Sequence, residues 1–145
     1  MASQRVFSIQ EVEALIPQLT ELVARQMARH GEIERGVQEL SRLEGRAPTE
    51  LEEHENDAPP VRELKRELKH RIASWQSGWN EVEALGAVIK DPNVGLVDFY
   101  GRVDGKLVYL CWRPGEAALG WYHDLDAGFA GRRPLGPETR DRLLN

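Results

Sequence analysis

From Ile9 to Val82 the apolar residues recur every three or four positions; from Ala87 onward they recur every two. That change of period limits what the chain can fold into more than any other feature. A 3.6-residue repeat puts apolar side chains on one stripe of a helix, and a two-residue repeat puts them on one face of a strand. The first stripe reads Ile9, Val12, Ile16, Leu19, Val23, Met27, Ile33, Val37, Leu40, interrupted at His30. The second reads Val61, Leu64, Leu68, Ile72, Trp75, Trp79, Val82.

Local signals mark the ends of both helices. Ser8 and Glu11 form a capping box, in which each side chain satisfies the other's backbone donor, and Phe7 and Val12 supply the flanking hydrophobic staple. Pro17 should bend the first helix near its second turn. Gly31 and Gly36 weaken it, and Gly45 is placed to close it. Residues 45–60 are acidic and read as a solvated connection. The Pro59–Pro60 pair suits the first turn of the second helix, which ends near Leu85–Gly86. Two long stripes joined by a polar linker give an antiparallel helical hairpin over residues 7–86.

The remainder, residues 87–145, is rich in strand signals. Val88 to Lys90, Leu96 to Tyr100, Lys106 to Trp112 and Ala117 through His123 are the expected strands. Asp104–Gly105 is a hairpin signal, and Pro114–Gly115 fits the centre of a type II turn. The expectation is an α+β fold in one domain: a long helical hairpin packed with an antiparallel meander of three or four strands.

Composition narrows the function. With 145 residues, 41% hydrophobic and 30% charged, the chain can bury a core and is expected to be soluble and globular. One cysteine excludes an internal disulfide and suits a reducing cytoplasm. No apolar run is long enough to span a membrane, and the first residues lack the pattern of a signal peptide. The net charge is −5, and no segment clusters positive charge, so nucleic acid is not an expected partner. The helical stripes leave a surface for a homo-oligomer.

Candidate chemistry is concentrated in Gly95 to Arg132, which holds the only Cys, all three Tyr and one of the four His. If the turns pair the strands simply, Val97, Phe99, Val108, Leu110, Trp112, Leu119, Trp121 and His123 share one face. Asp98, Tyr100, Tyr109, Cys111, Glu116 and Tyr122 then share the other, with Asp98 beside Cys111. A slip of one residue in either hairpin would exchange these sets.

The segments LVDF (96–99), LCWRPGE (110–116), WYHDLDAGFAGR (121–132) and FSIQEVEALIPQL (7–19) resemble the family of small bacterial proteins classed as domain of unknown function 2203. The resemblance covers most of the chain and weakens in the linker, 45–60. It implies a helical hairpin with a strand-rich C-terminal part. That family has no settled activity, so it assigns no catalytic role to any residue here.

Three chemistries remain on the residues themselves. A divalent metal (zinc, manganese or iron(II)) has candidate ligands in Glu116, His123 and Asp126, with Asp98 as a general base for hydrolysis. The alternative is that His123 bonds at a strand end while Asp124 and Asp126 shape a turn. Cys111 is a candidate nucleophile, but a neighbouring Asp98 would raise its pKa, which favours a structural thiol. A pocket for a small anion would be lined by Asp98, Glu116, Trp121, His123, Asp124 and Arg132, with the guanidinium as clamp. Against it stands a turn whose arginines pair with local acids. The leading expectation is a binding or interaction domain, followed by a metal-assisted hydrolase and then a purely structural assembly protein.

Overall fold

The structure is a computed structural model that describes residues 5–136. Helix α1 runs Ile9–Glu44 and α2 runs Pro59–Glu83. Five strands follow: β1 (Val88–Asp91), β2 (Leu96–Val103), β3 (Lys106–Trp112), β4 (Trp121–Asp124) and β5 (Arg133–Pro134). They form one antiparallel sheet in the order β1-β2-β3-β4-β5. The fold is therefore α+β, a helical hairpin followed by a meander, with one strand beyond the expected four.

The end signals act as the sequence suggests. The Ser8 N–H donates to Glu11 Oε1 at 2.9 Å, and the Glu11 N–H donates to Ser8 Oγ at 3.1 Å. Gly45 closes α1 by donating its N–H to the Ser41 carbonyl at 2.8 Å. The helix continues through Pro17. At the β2–β3 hairpin, Asp104 and Gly105 both take positive φ, 52° and 79°, as a two-residue type I′ turn requires. Gly115, at φ 98°, occupies the third position of a turn in which the Glu116 N–H reaches the Arg113 carbonyl at 3.2 Å. That is the type II geometry expected for Pro114–Gly115.

The described residues divide into two compact units, residues 25–80 and the remainder. In the first, the α1 and α2 segments form the hairpin around Leu40, Val61 and Leu68. Gly36 is more than a weak point in α1: a Cβ there would run into Leu68 Cδ2, so the glycine lets the two helices approach. Gln26, buried, donates its Nε2–H to the Trp75 carbonyl at 2.6 Å.

The linker departs from its description as solvated chain. Lys65, only 2% exposed, donates from Nζ to the Glu52 carbonyl at 3.0 Å and to Asp57 Oδ2 at 3.1 Å. Glu44 Oε2 lies 3.8 Å away. Arg62 donates to the Glu55 carbonyl at 2.9 Å. Residues 52–57 are thus held to α2 by their own carbonyls and carboxylates, a role that a count of acidic residues does not reveal.

In the other unit, Ile9, Val12, Ile16, Leu19 and Val23 of α1 are buried together with Val97, Phe99, Val108, Leu110 and Trp112 of the sheet. Phe7 meets Phe99 edge-on with ring centroids 5.1 Å apart. Gly101 is bare because Leu110 lies over it: a Cβ would come within 2.8 Å of Leu110 Cγ.

Candidate functional site

The strand register builds the site. Asp98 pairs with Cys111, and Cys111 pairs with Trp121; two residues along, Tyr100 pairs with Tyr109, and Tyr109 pairs with His123. Side chains alternate along a strand, so these six residues share one face in two adjacent rows. This corrects the expected placement of β4. Trp121 and His123 lie on the face of Asp98 and Cys111, while Tyr122 pairs with Leu110 on the opposite, apolar face. The cause is the connection from 113 to 120. It opens with the expected type II turn but does not run straight into a strand, so the turn does not set the register of β4.

The corrected register lets His123 reach diagonally across β3 to Asp98. Its Nε2 lies 2.9 Å from Asp98 Oδ2, and its Nδ1 lies 2.9 Å from the Asp124 carbonyl oxygen. A carbonyl only accepts, so Nδ1 carries a hydrogen. Nε2 and Oδ2 then share one further proton, either as imidazolium with carboxylate or as imidazole with carboxylic acid. Both residues are buried, at 3% and 0% exposure. Burial pushes the Asp98 carboxyl above the ordinary carboxylate range, while the charge on His123, the Cys111 thiol and Lys90 pull it back. The other carboxylate oxygen, Oδ1, is buried with no hydrogen bond of regular geometry.

Cys111 completes the cluster. Its Sγ, a carboxylate oxygen of Asp98 and a His123 ring nitrogen all lie within 4.8 Å of one another. The thiol's pKa is pushed up to about 12, mainly by burial and then by the Asp98 charge. It is therefore a neutral thiol near pH 7, in line with the structural reading and against a free nucleophile. Around this cluster, the Tyr100 and Tyr109 hydroxyls meet at 3.0 Å, the Tyr109 ring packs 5.3 Å from the His123 ring, and Lys90 Nζ sits 3.8 Å over the Tyr109 ring. Sequence reasoning did not single out Lys90 or the tyrosine pair. The alternation Asp98–Tyr100 and Tyr109–Cys111 carried the tyrosines' signal, while Lys90 is placed by an irregularity between Ile89 and Asp91 in the β1–β2 pairing.

The other candidate residues are engaged with one another. Arg132 donates from Nη2 to both carboxylate oxygens of Glu116, at 3.1 and 3.0 Å, and its guanidinium lies 4.8 Å over the Trp121 ring. Arg133 donates to Asp124 Oδ2 at 2.7 Å. The segment 128–133 thus acts as a turn with arginines paired to acids; Arg132 Nη2 is taken by Glu116, while its buried Nε has no hydrogen-bond partner. Asp126 is exposed in the turn after β4. Of the acids weighed as metal ligands, only Asp98 is grouped with His123 among the described residues, and Cys111 replaces Glu116 and Asp126 as the third donor.

A separate open groove of about 650 Å³ lies in the same unit, lined by Asp91, Val94, Leu96, Arg113, Glu116 and Phe129 among others. Val94 is 59% and Phe129 41% exposed, which is unusual for large apolar side chains beside one concavity. The Arg113 guanidinium lies 6.0 Å over the Phe129 ring. Its backbone N–H donates to Glu116 Oε1 at 2.9 Å. Among the described residues, no helix is long and apolar enough to cross a membrane.

None of the curated proteins and none of the solved structures compared matches this chain. The family model for an uncharacterized conserved protein (DUF2203) matches residues 5–135, nearly the whole chain. The chain belongs to the DUF2203 family.

Proposed function

We propose that this chain is a binding domain for a small amphipathic anion, a molecule with an apolar body and a carboxylate or phosphate. The carrying observation is the groove in which exposed Val94 and Phe129 stand beside Arg113. Arg132 and Arg133 are both taken by carboxylates, whereas no ion pair occupies the Arg113 guanidinium among the described residues. Glu116, the nearest acid on the chain, is already held by Arg132 and by the Arg113 N–H. An incoming anion would therefore meet a cation not yet neutralised, next to apolar surface that gains from being covered.

A binding role also accounts for the buried cluster better than catalysis on a substrate would. Asp98 and His123 have little contact with solvent, and Cys111 holds its proton.

Thermal denaturation with phenyl phosphate, benzoate and inorganic phosphate tests the proposal. Phenyl phosphate and benzoate should raise the melting temperature, and phosphate alone should raise it less. The rise should vanish in Arg113→Ala and shrink in Phe129→Ala. Stabilisation by none of the three, or stabilisation that survives Arg113→Ala, would overturn the reading.

A further inference from the structure

We propose that Asp98, Cys111 and His123 form a buried binding site for one divalent cation of the zinc type. The site is separate from the groove. Three observations converge on it. The donor atoms, a carboxylate oxygen, a thiol sulfur and an imidazole nitrogen, lie within 4.8 Å of one another. Zinc with its usual bond lengths in tetrahedral geometry holds such donors about 3.3 to 3.6 Å apart. Nε2 and Oδ2, now 2.9 Å apart, would open by a few tenths of an ångström as the ion replaces the proton between them.

The second observation is the orientation of His123. The Asp124 carbonyl fixes the hydrogen on Nδ1, leaving Nε2 to face Asp98. A ring nitrogen held by a backbone carbonyl while the other faces the ion is how metal-bound histidines are commonly oriented. The third is Asp98 Oδ1, buried with no hydrogen bond of regular geometry, the Cys111 thiol beside the carboxyl being only a weak donor. A buried carboxylate oxygen left so weakly paired is costly, and a cation is the ligand that would satisfy it. Asp98 then supplies one donor, with Cys111 Sγ and His123 Nε2 as the other two.

Charge balance favours a divalent ion. Thiolate and carboxylate contribute two negative charges and imidazole none, so the occupied site is neutral, as burial requires. Without metal, the cluster holds one proton between Asp98 and His123 and one on Cys111. Entry of the ion displaces both. Softness points the same way: a thiolate with imidazole and one carboxylate suits zinc, and disfavours calcium or magnesium. Three protein donors leave the fourth tetrahedral position for water or another small donor, shielded from bulk solvent by burial.

The full-length protein, purified without chelator, should contain about one equivalent of zinc by mass spectrometry, or take it up after demetallation. Uptake followed with a competing chromogenic chelator near pH 7 should release about two protons per ion. Cobalt in place of zinc should give a thiolate-to-cobalt charge-transfer band that disappears in Cys111→Ser. Zinc should raise the melting temperature of the wild type but not of Cys111→Ser or Asp98→Asn. If either variant fails to fold by circular dichroism, the proton count and the cobalt band of the wild type decide the matter alone. Folded wild-type protein that takes up no stoichiometric zinc overturns the proposal. So does zinc uptake without the cobalt–thiolate band, or uptake that both variants leave unchanged.

Discussion

Two buried polar sites, one in each compact unit, have opposite balances. In the helical unit, the Lys65 ammonium meets the Glu52 carbonyl and Asp57 at hydrogen-bond distance, with the Glu44 carboxylate nearby. Its donors are matched by the chain's own acceptors, and nothing is left for a ligand. In the sheet unit, the Asp98–His123–Cys111 cluster satisfies the imidazole at both nitrogens yet leaves Asp98 Oδ1 with no hydrogen bond of regular geometry. A buried polar group that is fully paired holds structure in place; one that is partly paired marks where something else can bind.

The largest effect should come from unbalancing the closed site. Asp57→Ala leaves a buried ammonium short of its main countercharge and should lower the urea denaturation midpoint more than any other change named here. Lys65→Met keeps the length and removes the charge, and should cost clearly less, because the carboxylates left behind can turn to water. Equal losses in the two variants would show that Lys65 is not a desolvated charge.

Next in size are two glycines that let neighbours approach, one in each unit. Gly36→Ala drives a Cβ into Leu68, and Gly101→Ala drives one into Leu110. Each should destabilise by about 1–3 kcal/mol in the same measurement. Loss at only one position would show which unit has the slack to repack.

A smaller effect is expected at the start of α1. Ser8→Ala removes the cap on the Glu11 N–H and should cost about 1 kcal/mol. It should leave any zinc-dependent rise in melting temperature intact, which separates simple loss of stability from loss of the buried site.

The smallest effect is set by pH. Asp57 is held below its ordinary value of 3.8, first by the His54 backbone N–H and then by Lys65. A lowered carboxyl contributes stability that is fully present above the ordinary value and is lost as pH falls through the folded one. The amide resonance of His54, whose N–H donates to Asp57 Oδ2 at 2.9 Å, should therefore stay folded-like at pH 5 and shift only below 3.8. A transition well above that pH would show that Asp57 is not engaged as described.

How much of this was legible in the sequence depended on whether a local rule fixed the answer. Period, caps and turn residues act within a few positions, so both helices, the Ser8–Glu11 box and the Asp104–Gly105 hairpin were readable. The pairing of Asp98 with Cys111 followed from that hairpin. The placement of His123 did not, because the connection from 113 to 120 does not fix a register and one residue of slip exchanges faces. The short β5 depends on partners distant in sequence, such as the Gly120 carbonyl that receives the Leu135 N–H at 2.8 Å. Nothing near Lys65 in sequence marks it for burial; acids from the linker, distant in sequence, surround it.

The most direct test of the contrast between the two buried sites is histidine ¹⁵N NMR of the full-length protein, titrated with zinc after demetallation. The expected result is that the Nε2 resonance of His123 moves with one equivalent of zinc. Its Nδ1 should remain protonated against the Asp124 carbonyl, and His30, His54 and His70 should stay in place. A His123 signal unmoved by zinc, or zinc that perturbs only the other three histidines, would contradict the claim that the sheet unit holds an open valence.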